Sequence, residues 1–199
     1  MTRLLLRMMC VGLIAAGGAR TARAIEVKIS AQALERTLQT QLFSGPGGRY
    51  YIRGNATSAC FVYAEAPHVS FKDDRVFVHV HARAKLGAAV RGSCIGVSLA
   101  TEADVSFVPD AEGESVGFRD ARFEKLSESK ELNFLLVPFL SGKLPSQMKM
   151  NAADVMRKLL SQSMAATGYT LTLDTLKLHS MVVDHDALVV DVDAEMRID

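Results

Sequence analysis

The amino-acid sequence predicts an α+β fold, in which a curved antiparallel β-sheet wraps around one or two amphipathic helices. Three observations lead to this fold class. Apolar residues recur at helical spacing in two segments, about 31–43 and about 145–167. Between them, residues 50–125 alternate apolar and polar side chains, as half-buried strands do. A last alternating pair of segments gives the predicted order of strand, helix, meander, helix and hairpin.

Residues 1–24 precede this fold and have the features of a secretory signal peptide. Arg3 and Arg7 give a positive start, residues 8–16 are apolar, and Ala22-Arg23-Ala24 fits a cleavage site of small residues. The apolar stretch is too short to span a bilayer, which needs about 20 residues. We therefore expect cleavage between Ala24 and Ile25, a periplasmic or secreted protein without a transmembrane segment, and a single α+β domain over residues 25–199.

Composition and charge argue against a disordered protein and against a nucleic-acid-binding protein. Apolar residues make up 49% of the chain, too many for a disordered protein. The net charge is +1, and loss of the four signal-peptide arginines leaves a mildly acidic chain, which argues against nucleic-acid binding. Cys60 and Cys94 remain after cleavage, and an even number of cysteines in an exported protein favours one disulfide.

The first strand and helix follow from local signals. Residues 25–29 alternate as a short strand, and Ser30 stands where a helix N-cap is expected. Residues 45–48, Gly-Pro-Gly-Gly, end the helix. Its apolar stripe consists of Leu34, Leu38 and Leu42.

The central strand over residues 76–85 has a small apolar face and a polar face. Its apolar positions are valines and alanines, and its polar face includes two histidines. Turn signals at 72–74 and at Arg91-Gly92 separate it from its neighbours, which predicts an antiparallel meander. The apolar segment 134–140 fits either a membrane-touching mouth or a short buried helix, and we favour the buried helix.

The second long helix is expected to begin at Pro145 and to stop at Gly168. Its apolar stripe is broad and includes Val155, Leu159 and Leu160. Two alternating segments follow, separated by a turn at 184–186, and they predict the final hairpin.

The order of elements resembles small periplasmic lipoproteins of the tubular lipid-binding (TULIP) type. The resemblance covers most of residues 25–199 and depends on Ile29-Ser30-Ala31-Gln32-Ala33-Leu34-Glu35-Arg36-Thr37-Leu38 and on the passage of the second helix into Tyr169-Thr170-Leu171. It implies a sheet that holds acyl chains in the gap beside a helix. The chain differs from those lipoproteins in lacking a lipidation site and in its predicted disulfide.

The predicted function is therefore binding of a lipid or another elongated apolar molecule between helix and sheet. The alternative is an interaction protein of the cell envelope, in which the same residues fill a solid core. The predicted lining consists of Leu34, Leu38, Leu42, Val80, Ala82, Val155, Leu159 and Leu160.

His79 and His81 are the sharpest polar feature, because alternate residues of a strand share a face and two imidazoles can share a metal. A metal-dependent hydrolase is thus a third hypothesis, but Arg83 and Lys85 on the same face would repel a cation. A third ligand would have to come from His68, Asp74 or His185. We therefore predict no metal, no cofactor and no enzyme activity. The candidate contacts to an anionic headgroup are His79, His81, Arg83 and Lys85.

A catalytic cysteine is also conceivable, because Gly92-Ser93-Cys94-Ile95-Gly96 resembles a nucleophile elbow. That motif requires a helix after the nucleophile, whereas the residues after Cys94 alternate like a strand. The sequence therefore favours the Cys60–Cys94 disulfide and predicts no catalytic residue.

Overall fold

The computed structural model describes residues 25–163, 165 and 168–198, so the predicted signal peptide lies outside the described residues. The predicted α+β class with a curled antiparallel sheet is confirmed. The strands are β1 (Ile25–Ser30), β2 (Arg49–Arg53), β3 (Phe61–Lys72), β4 (Arg75–Val90), β5 (Ser93–Glu112), β6 (Ser115–Lys125), β7 (Met150–Asn151), β8 (Leu171–Asp184) and β9 (Ala187–Ile198). The helices are α1 (Ala31–Gln41), α2 (Lys130–Pro138), α3 (Leu144–Met148) and α4 (Ala152–Leu160), with a π-helical turn at Phe139–Lys143.

The strands form two hydrogen-bonded sheets. Six strands are arranged in the order β2-β3-β4-β5-β6-β7, and three in the order β1-β9-β8. All neighbours are antiparallel. The first strand does not join the meander, because β1 pairs with β9 from Ile25↔Val192 to Ser30↔Ala187. The two sheets meet where Leu178 N donates a hydrogen bond to Gly113 O at 3.1 Å.

The core lies against one face of the six-stranded sheet, which we call the inner face. Val76, Val78 and Val80 of β4 have no exposed surface, and they alternate with the side chains of the opposite, outer face. Helix α1 packs on this core with Leu38, which is 3% exposed. The N-cap predicted for α1 is confirmed, since Ser30 Oγ accepts from Ala33 N at 3.2 Å.

The continuous helix predicted from residue 145 is wrong, because the short strand β7 separates α3 from α4. After α3 the chain becomes extended, and Met150 pairs with Val116 of β6. Asn151 then starts α4 as its N-cap, with Oδ1 accepting from Asp154 N at 2.9 Å. The break resets the phase of the helix, so the inward side chains are Ala153, Met156 and Leu160.

The apolar segment before α3 is helical, as the favoured interpretation predicts. Ser129 Oγ accepts from Leu132 N at 3.3 Å and starts α2 earlier than expected. Leu132 and Leu136 have no exposed surface, whereas Phe134 points outward and is 80% exposed. No helix among the described residues is long and apolar enough to cross a membrane.

Arg75 is a buried cation that joins β4, β5 and β6 on the outer face. Its side chain is 8% exposed, and Nε donates to Ser106 Oγ at 2.8 Å. Nη1 donates to Asp120 Oδ2 at 3.1 Å, and Nη2 donates to the backbone carbonyls of Ser106 and Asp120. The hydrogen bond from Arg75 lowers the pKa of the Asp120 carboxyl from its ordinary value.

Candidate functional site

The β4–β5 hairpin carries the apolar inner face beyond the core. Its register is continuous from Val76↔Phe107 to Val90↔Ser93, so side-chain alternation is unbroken to the tip. The turn consists of Arg91 and Gly92, whose φ angles are 48° and 81°, as in the two-residue turns that favour a twisted hairpin. Every inner-face position up to the turn can therefore be assigned from the register.

The distal inner face is apolar and uncovered. We call this surface the hairpin strip, and it consists of Leu86, Val90, Ile95, Val97 and Leu99. Val90, Ile95 and Val97 are 44%, 64% and 57% exposed, whereas Leu86 and Leu99 are partly buried against the core. The same face is fully buried at Val76–Val80. The hairpin therefore presents to solvent the kind of side chains that it buries elsewhere.

A pair of glycines and the disulfide shape this end of the hairpin. Gly87 and Gly96 face each other, and a Cβ on Gly87 would lie 2.0 Å from the carbonyl oxygen of Ile95. Only glycine allows the two strands to approach in this way. The predicted disulfide is confirmed between Cys60 and Cys94, and it joins the distal hairpin to the loop before β3.

The same end of the molecule is basic. No Asp or Glu occurs within residues 83–101 or 50–64. Arg91 is exposed in the hairpin turn, and Arg53 lies at the end of β2, beside the loop that carries Cys60. Arg91 thus places a basic side chain at the apolar hairpin tip without a neighbouring acid in sequence, whereas Arg53 is three strands away from Leu99 and level with it in the register.

The residues predicted to line a ligand gap are divided among three places. Leu34, Leu38 and Leu42 border an apolar cavity of about 20 Å³ between α1, α3 and β6, which is the room of roughly one water. Val80 and Ala82 are completely buried in β4.

The third place is α4, where the predicted apolar stripe includes residues that do not face the core. Val155 and Leu159 point outward and are 45% and 61% exposed, and Leu160 is partly buried against the core. Their exposure is a correction, and its cause is the new phase that the helix takes after the break at β7. The eight predicted lining residues therefore do not surround one gap.

The four candidate headgroup contacts all lie on the outer face, but their surroundings differ. Arg83 Nε is 3.2 Å from Glu65 Oε1, and Lys85 Nζ is 5.8 Å from the ring centroid of Phe61. His79 and His81 lie nearer the core, with ring centroids 5.1 Å apart.

Beside these histidines lies a carboxylate that the sequence analysis missed. Glu102 is opposite His81 in the β4–β5 register, and Asp104 is opposite His79. One ligand atom from each of His79, His81 and Glu102 lies within 4.8 Å of the others. His81 and Glu102 border a shallow open groove of about 400 Å³ that is also lined by Arg83 and Lys125.

Hydrogen bonds hold parts of this cluster in place. His79 Nδ1 is 2.5 Å from Asp104 Oδ1, and Lys125 Nζ donates to Glu102 Oε2 at 2.7 Å. The hydrogen bond from Lys125, and its charge, lower the pKa of the Glu102 carboxyl.

No protein-family model, curated protein or solved structure matches the chain. The residues and their geometry therefore carry the functional argument.

Proposed function

We propose that this is an exported lipid-binding protein that docks reversibly on an anionic bilayer through the tip of the β4–β5 hairpin. The observation that carries the proposal is the hairpin strip, an apolar sheet face that is buried at one end and exposed at the other. Exposed apolar patches of this kind mark sites of membrane or protein interaction. Arg91, exposed in the turn beside the strip, favours an anionic surface.

The expected strength of this contact is modest. Val90, Ile95 and Val97 are each about half exposed, and full burial of such a side chain yields roughly 1.5–3 kcal/mol, so each contributes about 1 kcal/mol. Arg91 near an anionic surface adds about 1 kcal/mol. The total of about 4 kcal/mol is somewhat below the binding energy of a single myristoyl chain, which itself binds membranes reversibly.

A surface contact fits the geometry better than storage of a lipid inside the core. The cavity beside α1 holds about 20 Å³, so an acyl chain would enter it only if α1 moved away. On the open hairpin strip, a single acyl chain would keep about half its surface in water, and association costs at least about 4 kcal/mol. A bilayer leaves less apolar surface in water, because it surrounds the inserted side chains with hydrocarbon.

Vesicle co-sedimentation tests the proposal. Wild-type protein is expected to bind vesicles of phosphatidylglycerol and phosphatidylcholine, and to bind pure phosphatidylcholine vesicles less. Ile95→Ser with Val97→Ser should lose about 2 kcal/mol, or roughly 30-fold in partitioning. The matched control is Val27→Ser with Val182→Ser, two exposed valines of the three-stranded sheet, and it should bind like wild type. Equal binding by the two double variants would contradict the proposal.

A second candidate is the envelope interaction protein, in which the hairpin strip contacts another protein. The nearly filled space beside α1 favours it, because no ligand is needed to complete the core. A photo-crosslinking amino acid at position 97 separates the two candidates in cells. A lipid adduct supports membrane docking, and an adduct with one defined protein supports the interaction protein. The same amino acid at position 182 serves as the control.

A further inference from the structure

We propose that His79, His81 and Glu102 form a binding site for a divalent first-row transition ion, with Zn²⁺ as the reference metal. The site lies on the outer face of β4 and β5, away from the hairpin strip, and it is independent of the proposed lipid binding. Two imidazoles and one carboxylate are a recognised ligand set for zinc, and three protein ligands leave a fourth position open.

The β4–β5 register brings the three ligands together. His79 and His81 are alternate residues of β4, and Glu102 is directly opposite His81 on β5. Their ligand atoms lie within 4.8 Å of one another. The Zn–N and Zn–O bonds of about 2 Å require a further approach. The side chains of His81 and Glu102 are exposed and can rotate to make it.

Asp104 contacts His79 and fixes the tautomer of its imidazole ring. Its Oδ1 is 2.5 Å from His79 Nδ1, and a carboxylate can only accept, so Nδ1 carries the proton. The lone pair of His79 is then on Nε2, available to a metal. Carboxylates that fix the tautomer of a ligating histidine in this way recur at zinc sites.

The basic residues on this face do not exclude a cation. Arg83 is paired with Glu65, and Lys125 is paired with Glu102. Lys85 is four residues from His81 along β4, and its Nζ lies over the ring of Phe61. Glu102 and Asp104 are directly opposite the two histidines and supply the negative charge at the site. Lys125 contacts Oε2 of Glu102 and leaves Oε1 without that hydrogen bond. Lys125 therefore competes with the metal, and its removal should strengthen binding.

The test is titration of purified, tag-free protein with ZnCl₂ against a chromophoric chelator. Wild-type protein is expected to bind one equivalent. His81→Ala and Glu102→Gln should each weaken binding at least 10-fold, and Asp104→Asn should weaken it by roughly 10- to 100-fold. Lys125→Met should tighten it. Because His81 and Glu102 are exposed, these variants are expected to fold, which circular dichroism checks.

The matched control is His179→Ala. His179 Nε2 is 2.6 Å from Asp193 Oδ2, so this histidine has a carboxylate partner, as His79 has, but it does not belong to the three-residue cluster. Its loss should leave zinc binding unchanged. Absence of stoichiometric binding by the wild type, or equal binding by the His81→Ala and His179→Ala variants, would overturn the proposal. Vesicle binding is measured separately, so failure of one proposal does not affect the other.

Discussion

The Cys60–Cys94 disulfide closes a long loop, and its removal is expected to destabilise the protein substantially. The bond joins residues 34 positions apart and ties the distal β4–β5 hairpin to the loop before β3. Replacing both cysteines by serine restores the freedom of this loop in the unfolded chain. For a loop of about 35 residues, the chain-entropy model gives a loss of about 4 kcal/mol in the free energy of unfolding.

Urea denaturation followed by circular dichroism measures this loss. With an m-value of roughly 2 kcal/mol/M, a loss of about 4 kcal/mol moves the midpoint down by about 2 M. Wild-type protein treated with dithiothreitol should show the same midpoint as the double variant. Dithiothreitol should have no effect on the double variant, which controls for nonspecific action of the reductant.

One result would refute this reasoning. If the double variant unfolds within about 0.5 kcal/mol of wild type, the effect is no larger than that of an ordinary surface substitution. The bond would then constrain only a hairpin end that opens separately from the rest of the fold. Hydrogen exchange at the distal hairpin would show this local opening directly.

Three further predictions concern the core and the outer-face network. Leu136→Ala should lower stability by about 2–5 kcal/mol in thermal denaturation because its side chain is completely buried, while Phe134→Ala on the same helix should change it little. Arg75→Met should cost about 3 kcal/mol in urea denaturation because it leaves buried polar groups without their donor. Asp120 has a lowered pKa, so its contribution is complete above its unfolded pKa of about 4 and is lost as the pH falls through the lower folded value. An acid titration of stability should therefore be shallower for Asp120→Asn than for wild type, and identical slopes would rule out this contribution.

Local signals made α1 and β4 predictable from the sequence. The side chain of Ser30 caps α1 without help from distant residues, and the alternation of β4 depends only on the chain itself. The break before α4 depends on a tertiary partner, because Met150 becomes extended to pair with Val116. A stripe of apolar residues cannot reveal that pairing, and the predicted helix therefore ran through it.

The candidate sites also include one feature that the sequence could predict and one that it could not. The pairing of His81 with Glu102 follows from counting equal steps outward from Arg91 and Gly92, so the third proposed ligand could be predicted from the expected turn. The exposure of Val97 was not accessible, because alternation assigns a side chain to a face but does not say how far the helices cover that face. Coverage depends on packing between elements distant in sequence.

The pairing of β1 with β9 has a consequence for the order of folding. Ile25 and Val192 are neighbours although more than 160 residues separate them in sequence. The three-stranded sheet can therefore close only after the last strand has been synthesised. Such non-local contacts slow folding and keep strand edges unpaired for longer. During synthesis β1 therefore remains without its partner until β9 has been made.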